Sequence, residues 1–110
     1  MTCATCDTAL VMGPRGIDVS ATSAALIDRV ADGRMLYLRG DVPLKDMIPL
    51  AMSDMKYTIV SFLECLECSR TRFWGLSIRG APIYKVVDAD APARWPWDAV
   101  PPRSAWAPEA

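Results

Sequence analysis

Apolar residues change their period along this chain, and each change marks an element. Ala24, Leu26, Ile27, Val30 and Ala31 recur at the three-to-four-residue spacing of one helix face. Ser20 stands where an N-cap belongs and Gly33 where a helix ends, so a helix is predicted from Ser20 to about Asp32. Elsewhere the apolar runs are short. Thr8-Ala9-Leu10-Val11-Met12 reads as a strand, closed by a turn at Gly13-Pro14-Arg15-Gly16. Met35-Leu36-Tyr37-Leu38 reads as a buried strand that Gly40-Asp41-Val42-Pro43 breaks. Leu44 to Met55 has a helical composition interrupted by Pro49, which cannot donate a hydrogen bond inside a helix. Two short helical turns are predicted there, the second starting near Pro49, with Met47, Met52 and Met55 filling core gaps.

The clearest strand is 57–64, rich in aromatic and β-branched residues. A return strand follows over Arg72 to Ile78, with Trp74, Leu76 and Ile78 on one face. Gly80-Ala81-Pro82 turns the chain, and Ile83 to Val87 is a further strand. The expected class is α+β: a small antiparallel sheet, three strands of it a meander, with one main helix. Residues 1–87 are expected to form a single domain, a size that suits a chain of 110 residues.

From Asp88 the composition shifts. Five of the nine prolines and three of the four tryptophans fall in the last 23 residues, which argues against regular structure there. Tryptophan buries a large apolar area wherever it finds a groove, so a tail over 88–110 is expected to pack on its own domain or on a partner. Trp95 and Trp97 are the expected anchors.

Charge and composition exclude several functions. A net charge of −1 supplies no surplus of cations for general nucleic-acid binding. No apolar run approaches the roughly 18 residues needed to cross a bilayer. The first residues lack a basic segment followed by an apolar one, so a cytoplasmic protein is expected, where thiols stay reduced. Histidine is absent, which removes the commonest general base and most catalytic zinc arrangements. Gly13 to Gly16 has neither the spacing nor the lysine of a phosphate-binding loop. Asp88 and Asp90 read as solvated loop carboxylates. No enzymatic activity is expected.

The four cysteines carry the strongest chemical signal. Cys3-Ala4-Thr5-Cys6 and Cys65-Leu66-Glu67-Cys68 each leave a two-residue gap, the spacing that lets both sulfurs face one tetrahedral ion. In this the chain resembles the zinc-ribbon and rubredoxin-like metal knuckles. The resemblance covers Cys3 to Asp7 and Cys65 to Ser69, with the hairpin around the second pair. It implies a structural Zn2+ held by Cys3, Cys6, Cys65 and Cys68. Two features depart from the family: Asp7 and Ser69 stand where glycine is usual, and 58 residues separate the pairs. Iron in the same cage, a redox-active pair at Cys65 and Cys68, and plain buried thiols are the alternatives. Glu67 would raise a neighbouring thiol pKa, and glycine and proline follow too soon for the helix of a thioredoxin-like site.

Between Ser69 and Lys85 lie Arg70, Arg72, Arg79 and Lys85, with no acidic residue and with Phe73, Trp74 and Tyr84 interleaved. With Trp95 and Trp97, the residues Arg70, Arg72, Trp74, Arg79 and Lys85 are the candidate partner contacts. Two partners fit this mixture. One is a protein, since arginine and aromatic residues are enriched at protein interfaces. In size and general character the chain is similar to small bacterial immunity proteins, a resemblance that implies a co-encoded toxin as partner. The other is nucleic acid, read by a basic aromatic hairpin beside a zinc knuckle.

Overall fold

The structure is a computed structural model describing residues 2–107. A 3-10 turn at Asp7–Ala9 leads into a miniature hairpin, β1 (Met12–Gly13) and β2 (Gly16–Ile17). Helix α1 (Val19–Ala31), strand β3 (Met35–Gly40), helix α2 (Leu44–Met52) and strands β4 (Thr58–Cys65), β5 (Thr71–Ser77) and β6 (Ile83–Val87) follow. Two single-turn helices, α3 (Ala91–Arg94) and α4 (Arg103–Trp106), lie beyond. The α+β class is as expected. The three-stranded meander gains β3 as a fourth strand, and the order β3-β4-β5-β6 is antiparallel throughout.

Three local expectations need correction. The strand over Thr8 to Met12 shrinks to the two residues of β1. Residues before it coil instead, because Asp7 N–H donates to Cys3 C=O at 3.2 Å and the Thr8 hydroxyl reaches back to the carbonyls of Ala4 and Thr5. The cap of α1 is Asp18, whose carboxylate accepts the Ala21 N–H at 2.9 Å, and Ser20 lies inside the first turn. Finally, α2 runs unbroken through Pro49. Proline there forfeits one backbone bond, whereas Leu44, Met47 and Leu50 bury a common face against the core, and that burial outweighs the loss. Of the three methionines expected to fill core gaps, Met47 does so, whereas Met52 and Met55, past the buried stripe, face solvent.

Side chains alternate across the sheet, as strand geometry requires. Ile59, Leu63, Trp74 and Leu76 point to the face covered by α1 and α2, where they pack with Leu26, Met47 and Leu50. Val60, Phe62 and Phe73 point to the other face. A Cβ on Gly75 would come within 2.6 Å of the Phe73 ring, so this glycine gives the ring its place on the sheet.

The proline-rich segment covers that second face. Ala91, Trp95 and Trp97 pack over Val60, Phe62 and Phe73, and the Trp97 indole donates to Pro92 C=O at 2.8 Å. The chain then passes to the first face, where Trp106 is buried with the main core and Arg103 lies 3.5 Å from Asp46 of α2. The tail thus contributes to both apolar layers; its last three residues lie outside the described region. No described helix is long and apolar enough to cross a membrane.

Candidate metal centre

The end of β4 and the start of β5 build half of the site. Cys65 closes β4, paired with Met35 of β3, and its N–H donates to Arg70 C=O at 2.9 Å. Ser69 N–H donates to Cys65 C=O at 2.8 Å, which rounds the knuckle. Ser69 takes φ +65°, in the left-handed region that favours glycine. Asp7, at the matching place in the first knuckle, does not; there the chain enters the 3-10 turn instead.

The first knuckle is tied down from three sides. Arg29 of α1 donates to Thr5 C=O at 2.7 Å, and the Tyr84 hydroxyl of β6 donates to Cys6 C=O at 2.7 Å. From β5, Arg72 donates through Nη2 to Cys6 Sγ at 3.4 Å and pairs with the Asp7 carboxylate. Asp7 in turn accepts the Cys3 N–H at 2.6 Å and has Arg70 at 3.6 Å.

These contacts bring all four sulfurs within 4.8 Å of one another. Cys3 and Cys65 Sγ are 3.7 Å apart, and Cys6 and Cys68 Sγ 3.5 Å. A disulfide needs about 2.05 Å, so the thiols are free. Four sulfurs at about 2.3 Å from one tetrahedral ion would sit about 3.8 Å apart, close to the observed spacing. The donor set and its spacing therefore fit a metal ion.

The four thiols differ in their surroundings. The backbone N–H groups of Cys6 and Thr5 aim at the Cys3 sulfur and pull that thiol down to about 7. Burial pushes Cys6 up to about 12 despite Arg72, and burial also pushes Cys65 up. Four thiolates this close repel one another, and only a cation among them makes them all anionic together. Asp7 is held below the usual carboxylate range, first by the Cys3 N–H and then by Arg72 and Arg70.

The candidate partner contacts scatter. The side chains of Arg72 and Trp74 lie on the helix-covered face, Arg72 only 6% exposed and Trp74 not at all. Arg72 stacks 4.8 Å over Tyr84, and Trp74 packs edge-on to the same ring. Both are buried in this fold, and Arg72 reaches the cysteine cluster. Arg70 flanks the centre through Asp7. Lys85, on the opposite face, lies 5.5 Å over Phe73, while Arg79 is exposed beyond the end of β5. Trp95 and Trp97 are half-buried against the sheet. No continuous basic aromatic patch forms. Sequence reasoning missed Arg29, Asp7, Arg72 and Tyr84 as supports of the knuckles. For Arg72 the signal was present, since it shares a strand face with Trp74 and Leu76.

Comparison with known proteins returns no matching family model, no similar curated protein and no similar solved structure.

Proposed function

We propose that this chain is a non-enzymatic protein-binding module whose fold is closed by a structural zinc ion, and that it acts as an immunity-type inhibitor covering the active site of a co-encoded toxin. The observation that carries the metal half is the closed set of four sulfurs from two distant knuckles. Zinc is favoured over iron because it is borderline-soft, accepts a tetrahedral tetrathiolate and adds no redox chemistry to a chain with nothing else suited to it. Four protein ligands leave no open coordination position, so the ion would hold the fold rather than act on a substrate.

The binding half is supported by the end of the sheet opposite the cysteines. There Met52, 81% exposed, stands with Met55 and Tyr57, which are also exposed. Beside them lies a concavity of about 240 Å³ lined by Ile48, Ala51, Leu76, Ile78 and Pro82. Methionine and tyrosine around an apolar hollow suit a protein partner better than a polyanion. The burial of Arg72 and Trp74 weakens the nucleic-acid alternative.

The test is co-expression with the protein encoded next to this gene. The proposal expects a complex that survives purification, blocks that protein's activity and is lost in Met52→Asp or Tyr57→Asp. It is contradicted by absence of a complex together with RNA or DNA binding that falls steeply with salt.

A further inference from the structure

We propose that Arg72 and Asp7 are positioning residues that set how tightly the four-cysteine cluster holds its ion, Arg72 as a buried counter-charge and Asp7 as the group that holds it in place. This rests on the metal reading above and adds to it.

A divalent ion with four thiolates carries a net excess of negative charge, and here three of the four sulfurs are buried. Burying such a complex is costly unless cations share the space. Arg72 is such a cation. Its guanidinium donates to Cys6 Sγ and the Asp7 carboxylate and stacks on the Tyr84 ring, while its buried Nε has no hydrogen-bond partner among the described residues. A buried arginine left with an unsatisfied N–H is a poor way to stabilise a strand. It makes sense where a larger negative charge faces it, and the thiolate cluster is the one at hand.

Asp7 completes the device. It follows Cys6 directly, so its carboxylate folds back onto the Cys3 N–H and fixes the first knuckle. The same carboxylate takes Arg72 and draws Arg70 to 3.6 Å. One side chain therefore orients both the ligand loop and the countercharge. The Tyr84 ring under the guanidinium, 4.8 Å away, holds its plane, and the Tyr84 hydroxyl grips the Cys6 carbonyl. The fork geometry matters, since a lysine could supply the charge but not serve the sulfur and the carboxylate together.

The experiment compares wild type, Arg72→Met, Arg72→Lys and Asp7→Asn for zinc affinity by chelator competition, and for the sulfur-to-metal absorption bands of the cobalt(II)-loaded protein. Loss of a group that orients metal ligands typically weakens binding about 10–100-fold. Arg72→Met is expected to show a loss in that range, and its cobalt band is expected to move to longer wavelength as Cys6 loses its hydrogen bond. Arg72→Lys should recover part of the affinity, and Asp7→Asn should fall between. A folded Arg72→Met protein with wild-type affinity and an unshifted band overturns the proposal. Should Arg72→Met not fold, Asp7→Asn decides, because it is isosteric and its side chain is partly exposed: unchanged affinity there overturns the proposal equally. A wild-type protein that takes up neither zinc nor cobalt sinks the metal reading itself, before any variant is compared.

Discussion

The Arg39 guanidinium lies 4.4 Å above the ring of Trp97, so strand β3 grips the proline-rich tail from the sheet edge. Trp97 also meets Phe62 edge-on at 5.9 Å, and Trp95 meets Phe73 at 5.4 Å. These rings close the second apolar layer, which has no helix of more than one turn to cover it. Trp97→Ala should therefore destabilise the whole domain. A loss of about 2–3 kcal/mol is expected, below the range for fully buried tryptophan because Trp97 keeps some exposure. Arg39→Ala should cost about 0.5–1 kcal/mol. Urea unfolding followed by fluorescence measures both. A Trp97→Ala protein as stable as wild type would mean that the tail is not part of the cooperative unit.

Ser69 carries backbone strain at the second knuckle. Its φ of +65° suits glycine, and a side chain there costs about 1 kcal/mol. Part of that gain is returned through the greater freedom of glycine in the unfolded chain. Ser69→Gly is expected to raise stability by about 0.5 kcal/mol and to leave metal content unchanged. Chemical denaturation with metal analysis checks it; a destabilised variant would show that the serine hydroxyl does more than tolerate the turn.

Tyr37 makes the fold sensitive to alkali. Its hydroxyl donates to Val42 C=O at 2.6 Å, a contact that the bare backbone of Gly40 leaves room for. Burial, with the negative charge of Asp41 second, pushes its ionisation up to about 12, against about 10 for a free tyrosine. The folded state thus holds its proton more tightly than the unfolded one. The stabilisation is complete below about pH 10 and is lost as pH rises through about 12. Urea midpoints should fall across that window in wild type. Tyr37→Phe should flatten that slope, at the cost of a hydrogen bond worth about 1 kcal/mol at neutral pH. A Tyr37→Phe protein with the same alkaline slope would contradict this.

Much of the architecture was legible because period is a strong signal. The β4–β5–β6 meander and α1 follow from alternation and from the Ala24–Ala31 stripe. Boundaries slipped where a side chain redirected the backbone: Asp18 in place of Ser20 as a cap, and the Thr8 hydroxyl in place of a strand ladder. Pro49 misled because one missing N–H weighs less than a buried helix face, and that comparison needs the tertiary partners of Leu44, Met47 and Leu50. The cysteine spacing announced the four-sulfur cluster. The supports of that cluster were hidden, because Asp7 reaches Arg72 across 65 residues of chain and Arg29 reaches Thr5 across 24. Arg72 illustrates the general difficulty: its charge suggested a surface, while its place in the strand alternation turned it inward.

We propose that one metal ion joins the first knuckle to the β4–β5 hairpin. Metal analysis of the protein as purified, paired with Cys65→Ser, is the decisive measurement. About one zinc per chain is expected in wild type. Cys65→Ser should lose that metal and fall markedly in stability, because binding energy at such a site is folding energy. A wild-type protein that is metal-free, stably folded and reactive at four free thiols would contradict it.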